Sequence, residues 1–112
     1  MDRADATRGA AMSVPAANAQ RMLRMRGLLE AALAPLALEV VDDSHRHVGH
    51  AGARDGHGHF TVDIVSEAFA GMSPLARHRA VYAALGGMMA SDIHALAIRA
   101  DTPAERAARA TR

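Results

Sequence analysis

Histidine is the residue type best placed to do chemistry in this chain. Five of its seven histidines, His45, His47, His50, His57 and His59, fall within fifteen residues. Neutral imidazole is the commonest nitrogen donor to transition metals, and a glycine-rich loop can gather several rings around one ion. The spacing matches no zinc-finger or helical metalloprotease pattern, since those need cysteines or an i, i+4 histidine pair on a helix. The plainer alternative is a solvated loop that drifted to histidine and binds metal without a task. His59 has a local alternative as well: beside Phe60 at a strand start, its ring can serve a backbone carbonyl.

Two histidines lie elsewhere. His78 stands between Arg77 and Arg79 on an apolar helix face, where a hydrogen-bonded core role outweighs ligation. His94 opens the segment Ile93 to Ile98, on the same face as Leu96 and Ile98 by alternation, with its strand-end position leaving a ring nitrogen accessible. A third strand lying beside the first two would bring His94 toward the histidine-rich loop; the sequence leaves that distance open. Arg77 and Arg79 project to different sides and can meet acids or phosphate, surface pairing with acids being the commoner outcome.

Composition removes several other chemistries. There is no cysteine, which excludes disulfide scaffolds, thiol catalysis and any self-contained thiolate metal site. Thirteen arginines against twelve acidic residues leave a net charge of +1, so nothing attracts nucleic acid or anionic membrane wholesale. No nucleophile or carboxylate pair is set beside the histidines, and no catalytic turnover is expected. With 112 residues, of which half are hydrophobic and 27 are alanine, the chain is one domain with a small aliphatic core. It carries no long apolar run and no signal-peptide pattern, and a cytoplasmic protein without membrane contact is expected.

The elements that must position the histidines follow from periodicity. Residues 1–17 read as a disordered tail, and a helix begins at Asn18 as N-cap, with Met22, Met25, Leu29, Ala32 and Leu36 on one face. Pro35 ends it. Leu36 to Val41 reads as a strand, Ser44 to Gly58 as a loop, and Phe60 to Val65 as a second strand with Phe60, Val62 and Ile64 inward, forming an antiparallel hairpin. Ser73 and Pro74 start a second helix whose core face is Leu75, His78, Tyr82, Leu85 and Met89. Gly86 and Gly87 break it, leaving a short piece that ends near Ser91. Ile93 to Ala100 forms a third strand, and Thr102, Pro103 and Glu105 cap a short, frayed terminal helix. The predicted class is α+β, a three-stranded sheet with helices on one face. The domain spans 18–105, and 106–112 is a C-terminal tail.

Several of these segments together resemble the BolA-like family: Leu38 to Ser44, His59-Phe60, Ser73 to Leu85 with Arg77-His78-Arg79 at its centre, and Ile93 to Ile98 followed by Thr102-Pro103. The resemblance runs from about Arg21 to Glu105. It implies a fold similar to the class II KH arrangement. It also implies partnership with a monothiol glutaredoxin carrying a Cys-Gly-Phe-Ser motif, in a heterodimer bridged by a 2Fe-2S cluster that also uses glutathione. Roles in iron-sulfur protein maturation, iron regulation and stress response follow, with apo iron-sulfur proteins as targets; some members are described as DNA-binding transcriptional regulators.

In that resemblance the family's C-terminal histidine falls on His94. The loop ligand falls on His47, with His50 as the alternative and His45 the poorer fit. A 2Fe-2S cluster needs four ligands, ordinarily thiolates, and this chain has none to offer. Two imidazoles beside a partner cysteine and a glutathione thiol would complete the set in a Rieske-like mixture. The expected function is therefore a non-enzymatic adaptor. The competing expectation is a nucleic-acid-binding regulator in which Arg77 and Arg79 touch phosphates. Against it stand the near-zero charge, the lack of a Gly-x-x-Gly loop between the helices and the assignment of Tyr82 to the core.

Overall fold

A computed structural model describes residues 14–44 and 58–111. Helix α1 spans Val14–Leu33, strand β1 Ala37–Asp42 and strand β2 Gly58–Val65. A 3₁₀ turn over Glu67–Phe69 leads to α2 at Pro74–Leu85, then to α3 at Met88–Ser91, β3 at Ile93–Asp101 and α4 at Pro103–Ala110. The sheet order is β1-β2-β3. β1 and β2 pair antiparallel, with Val40 opposite Val62, while β2 and β3 run parallel, with Val62 opposite Ile98. The expected α+β class and hairpin are present, and β3 does lie beside the hairpin.

Alternation along β2 works as predicted. Phe60, Val62 and Ile64 are 2% exposed or less and meet Met25, Leu29, Val81, Leu85 and Met88 in one core. Each such side chain contributes about 1.5–3 kcal/mol by leaving water. Local capping rules also hold. Ser73 accepts from Ala76 N–H with Pro74 at the first helical position, and Thr102 and Glu105 form a reciprocal capping box. Gly86, with φ of 57°, separates α2 from α3.

Several expectations are corrected. α1 begins at Val14, so Asn18 is not its N-cap but an interior residue, 1% exposed. The inward stripe of α1 runs through Met25, Leu29 and Leu33, whereas Leu36, expected on that face, lies beyond the helix end and is 67% exposed. Ala34, before Pro35, takes φ of 43° and its N–H bonds Glu30, so the helix closes through a left-handed residue. The core face of α2 is also rotated from the expected one: Val81 and Leu85 are buried, while Leu75 and Tyr82 are 59% and 41% exposed. Ala80 and Ala84 pack against the core beside them. Small side chains let α2 lie close to its neighbours, and the tyrosine keeps its hydroxyl wet. At the other end of the chain α4 starts at the predicted capping box and runs to Ala110, into the stretch 106–112 read as a tail.

Candidate metal centre

The start of β2 and the start of β3 are neighbours, and each carries a histidine. His59 is the second residue of β2 and His94 the second of β3. Their rings lie 4.9 Å apart between centroids, tilted by 46°. His59 is 5% exposed, while His94 is open to solvent. A register irregularity explains that difference. Gly58 pairs with Ile93 and His59 with Ala95, which leaves His94 as an extra residue between the two pairs. The strand phase therefore changes at this point, so Ile93 enters the core while His94 does not. Simple alternation had placed His94 with Leu96 and Ile98, which do pack on the core.

Hydrogen bonds hold the surrounding backbone. The His59 N–H donates to Ser44 Oγ at 3.0 Å, and the His59 carbonyl accepts from Asp43 N–H at 2.7 Å. Thr61 donates to the carboxylate of Asp43. A shallow pocket of about 230 Å³ beside this corner is lined by Asp43, His59, Phe60, Ala95, Leu96 and Ala97. His45, His47, His50 and His57 lie outside the described residues. Among the described residues no three histidine, aspartate or glutamate side chains stand together as a metal site. Both ring nitrogens of His59 are buried, so of this pair His94 is the imidazole open to an incoming ion.

The other sequence-predicted residues sit at the far end of the sheet. Arg77 is drawn inward, with its side chain 12% exposed. Its guanidinium donates twice to Glu105, at 2.6 and 2.9 Å, and to the carbonyls of Met72 and Ala100, both at 3.1 Å. These bonds hold Glu105 down to about 2, aided by the Thr102 N–H. Asp101 is also pushed below the usual carboxylate range, chiefly by Arg109 and next by Arg106. Arg106 reaches Asp63 as well, at 2.6 Å, so α4 is latched to the sheet. A cavity of about 480 Å³ opens here, lined by Arg77, His78, Asp101, Glu105 and Arg109 among others. It is larger than the pocket beside the histidines, but Arg77, Arg109 and the two carboxylates spend their charge on one another. Arg77 is thus not placed to bind phosphate, whereas Arg79 is exposed.

Residues 29–105 match the family of BolA-like proteins. The chain belongs to the BolA-like family. It is 44% identical over 103 residues to BolA-like protein 1 of Mus musculus, covering 92% of this chain and 72% of that one. It is 48% identical over 90 residues to SufE-like protein 1, chloroplastic/mitochondrial, of Arabidopsis thaliana; the match covers 76% of this chain but only 24% of that protein. The solved BolA domain of SufE1 from Arabidopsis thaliana superposes with a TM-score of 0.69 at 48% identity, covering 76% of this chain and 94% of that one. A 42% identical relative, covering 70% of this chain and 72% of its own length, is the DNA-binding transcriptional regulator BolA of Escherichia coli strain K12. The BolA-like match therefore contains both strand-start histidines and the whole loop between β1 and β2.

Sequence reasoning brought His94 toward the histidine-rich loop but did not single out His59, for which it offered a backbone carbonyl as a local alternative. It also missed Asn18, Ser44 and Asp92, which hold the corner together. For His59 a signal existed, since a parallel β3 beside β2 would set the two strand starts side by side. Nothing local marks the other three, whose contacts join residues far apart in sequence.

Proposed function

We propose that this BolA-like protein is a non-enzymatic adaptor that lends imidazole ligands to a 2Fe-2S cluster shared with a monothiol glutaredoxin and its glutathione, and hands iron-sulfur units to apo target proteins. The observation that carries the reading is the exposed His94 at the strand irregularity, beside a second imidazole and next to a histidine-rich loop, in a chain without thiols. His94 would supply one nitrogen and His47 the other, with His50 as the alternative loop ligand. A neutral nitrogen in place of a thiolate raises the reduction potential of such a cluster and makes its hold sensitive to acid. The rest of the corner serves to present: β2 and β3 hold His94 at the rim, and the Ser44 hydroxyl ties the start of the loop to its end.

The Escherichia coli relative prompts the second reading, a DNA-binding regulator. Of the two arginines assigned to it, Arg77 is consumed by Glu105 and two backbone carbonyls, which leaves Arg79 alone. The adaptor reading is favoured on that ground.

The test is anaerobic reconstitution with a Cys-Gly-Phe-Ser glutaredoxin, followed by visible absorption and circular dichroism. The wild-type chain should alter the glutaredoxin cluster spectrum and His94→Ala should not. Identical spectra for the two would refute the reading. His47→Ala and His50→Ala, measured separately, identify the loop ligand.

A further inference from the structure

The three-stranded sheet has two edges, and the chain treats them differently. At the β1 edge the carbonyl of Leu38 accepts from the Arg26 guanidinium of α1 at 3.2 Å, so a charged helix side chain stands over that strand. β3 forms the other edge, and among the described residues no strand pairs with its outer side. Successive residues of a paired strand turn their backbone groups to opposite sides. The Asp101 carbonyl accepts from Ser66 N–H just past β2, so Asp101, Arg99, Ala97 and Ala95 bond toward β2, and Ala100, Ile98 and Leu96 present N–H and C=O outward. Arg77 occupies the Ala100 carbonyl at 3.1 Å, and the extra residue His94 interrupts the regular ladder at the other end of the strand. The stretch from Ala95 to Ile98 between these stops holds neither charge nor proline, the usual guards of an edge.

An unpaired edge of this kind is a template for one more strand. The side chains on its two faces define which strand fits. On the helix side Leu96 and Ile98 are only partly buried as they pack on the core, so an added strand would meet them with aliphatic side chains. On the opposite face Ala95 and Ala97 are small and exposed, followed by Arg99, whose side chain is 56% exposed. Arg99 reaches Asp101 at only 3.7 Å, and that carboxylate is held more closely by Arg106, at 2.8 Å, and by Arg109. Asp63, opposite Arg99 in the register, is engaged by Arg106 at 2.6 Å. Arg99 is thus the under-compensated cation of this edge, and it favours an acid across from it. A second copy paired antiparallel about Ala97, the register that aligns most of the strand, would set Ala95 there instead.

We propose that the β3 edge from Ala95 to Arg99 docks an extended segment of a partner protein in which aliphatic residues alternate with acidic ones. The segment adds a fourth strand: its main chain bonds to Leu96 and Ile98, and an acidic side chain stands across from Arg99. The contact needs no metal and no histidine, so it is independent of the imidazole-ligand reading above.

The probe is the peptide acetyl-Glu-Val-Glu-Val-Glu-Val-Glu-amide, with a counterpart carrying Lys in place of every Glu, added to the isotope-labelled full-length chain. At saturation the Glu peptide should slow exchange of the Leu96 and Ile98 amides by about tenfold or more and leave the β1 amides unchanged. Arg99→Ala should weaken the Glu peptide by roughly 1.5- to 5-fold, the size of one cross-strand ion pair, and cut its lead over the Lys peptide by at least that factor. Methylating the valine nitrogens removes the donors that an antiparallel strand aims at β3, and methylating the glutamate nitrogens removes those of a parallel one. One methylated peptide should therefore bind about tenfold or more weaker while the other binds normally. Unchanged exchange at Leu96 and Ile98, equal binding of the Glu and Lys peptides, or equal behaviour of the two methylated peptides would overturn the proposal. Slow exchange of these two amides in the free chain that turns fast on dilution would also overturn it, because a second copy would then hold the edge.

Discussion

Replacing Gly58 with alanine measures how tightly the start of β2 is packed. The added Cβ would lie 2.1 and 2.2 Å from Cε2 and Cζ of Phe60, and 3.1 Å from Oδ1 of Asn18. Those neighbours are 2% and 1% exposed, so neither can swing out into water. Gly58 is not among the residues with positive φ, so its backbone accepts alanine, and reduced freedom of the unfolded chain alone would stabilise by about 0.4–1 kcal/mol. Over-filling a packed core costs about 1–3 kcal/mol, so the contact wins over the entropy. The expected net loss is about 1–2 kcal/mol, or a fall in Tm of roughly 5–15 °C for a domain of this size. Urea and thermal unfolding read it directly. Phe60→Leu removes both clashing atoms, so in that background alanine at 58 should cost about 1 kcal/mol less, a coupling that a double-mutant cycle resolves. A Gly58→Ala protein as stable as wild type, or costs that simply add, would refute the packing argument.

Further outcomes follow from the same contacts. Glu105, held near 2 by Arg77, and Asp101, held low by Arg109 and Arg106, both have depressed values in the fold. Their stabilisation is therefore complete above the ordinary carboxylate pKa of about 4 and is lost as pH falls toward the folded values. Hydrogen exchange should show α4 losing protection as pH drops below the ordinary range toward 2, and unchanged protection throughout would contradict the latch. Ser66 is 1% exposed, donates to the Leu33 carbonyl at 2.6 Å and accepts from Ala68 N–H at 3.0 Å. Ser66→Ala should cost about 1–3 kcal/mol in urea unfolding, because it leaves a helix-end carbonyl without its buried donor. Arg79→Ala, at an exposed site, should change stability by no more than about 0.5 kcal/mol. If Arg79 does contact DNA phosphate, the same substitution lowers the salt slope of binding by about 1; an unchanged slope removes it from the interface.

Much of the fold was legible because its signals are local. The period-two pattern of Phe60, Val62 and Ile64 needs only the strand itself to declare an inward face. Ser73-Pro74 and Thr102-Pro103-Glu105 announce helix starts through bonds that close within three residues. Periodicity gives the angular spacing of α2 but not which stripe turns inward. Tyr82 and Leu75 were consequently placed in the core, and Val81 and Arg77 took the inward positions. Likewise the His94 phase follows from a mismatch with β2, which alternation along β3 alone does not contain.

By itself the amino-acid sequence determined the element order, the inward face of β2, the caps of α2 and α4, the lack of thiols and a supply of imidazole, since each depends on residue type and on neighbours a few positions away. Only the tertiary structure decided that His59 stands beside His94, that Arg77 is spent on Glu105 and that Asn18 reaches Asp42 and Ser44 at the start of the loop. Those contacts join residues 24 to 35 positions apart, wherever packing of the sheet and helices brings them together, and no short-range rule reaches that far.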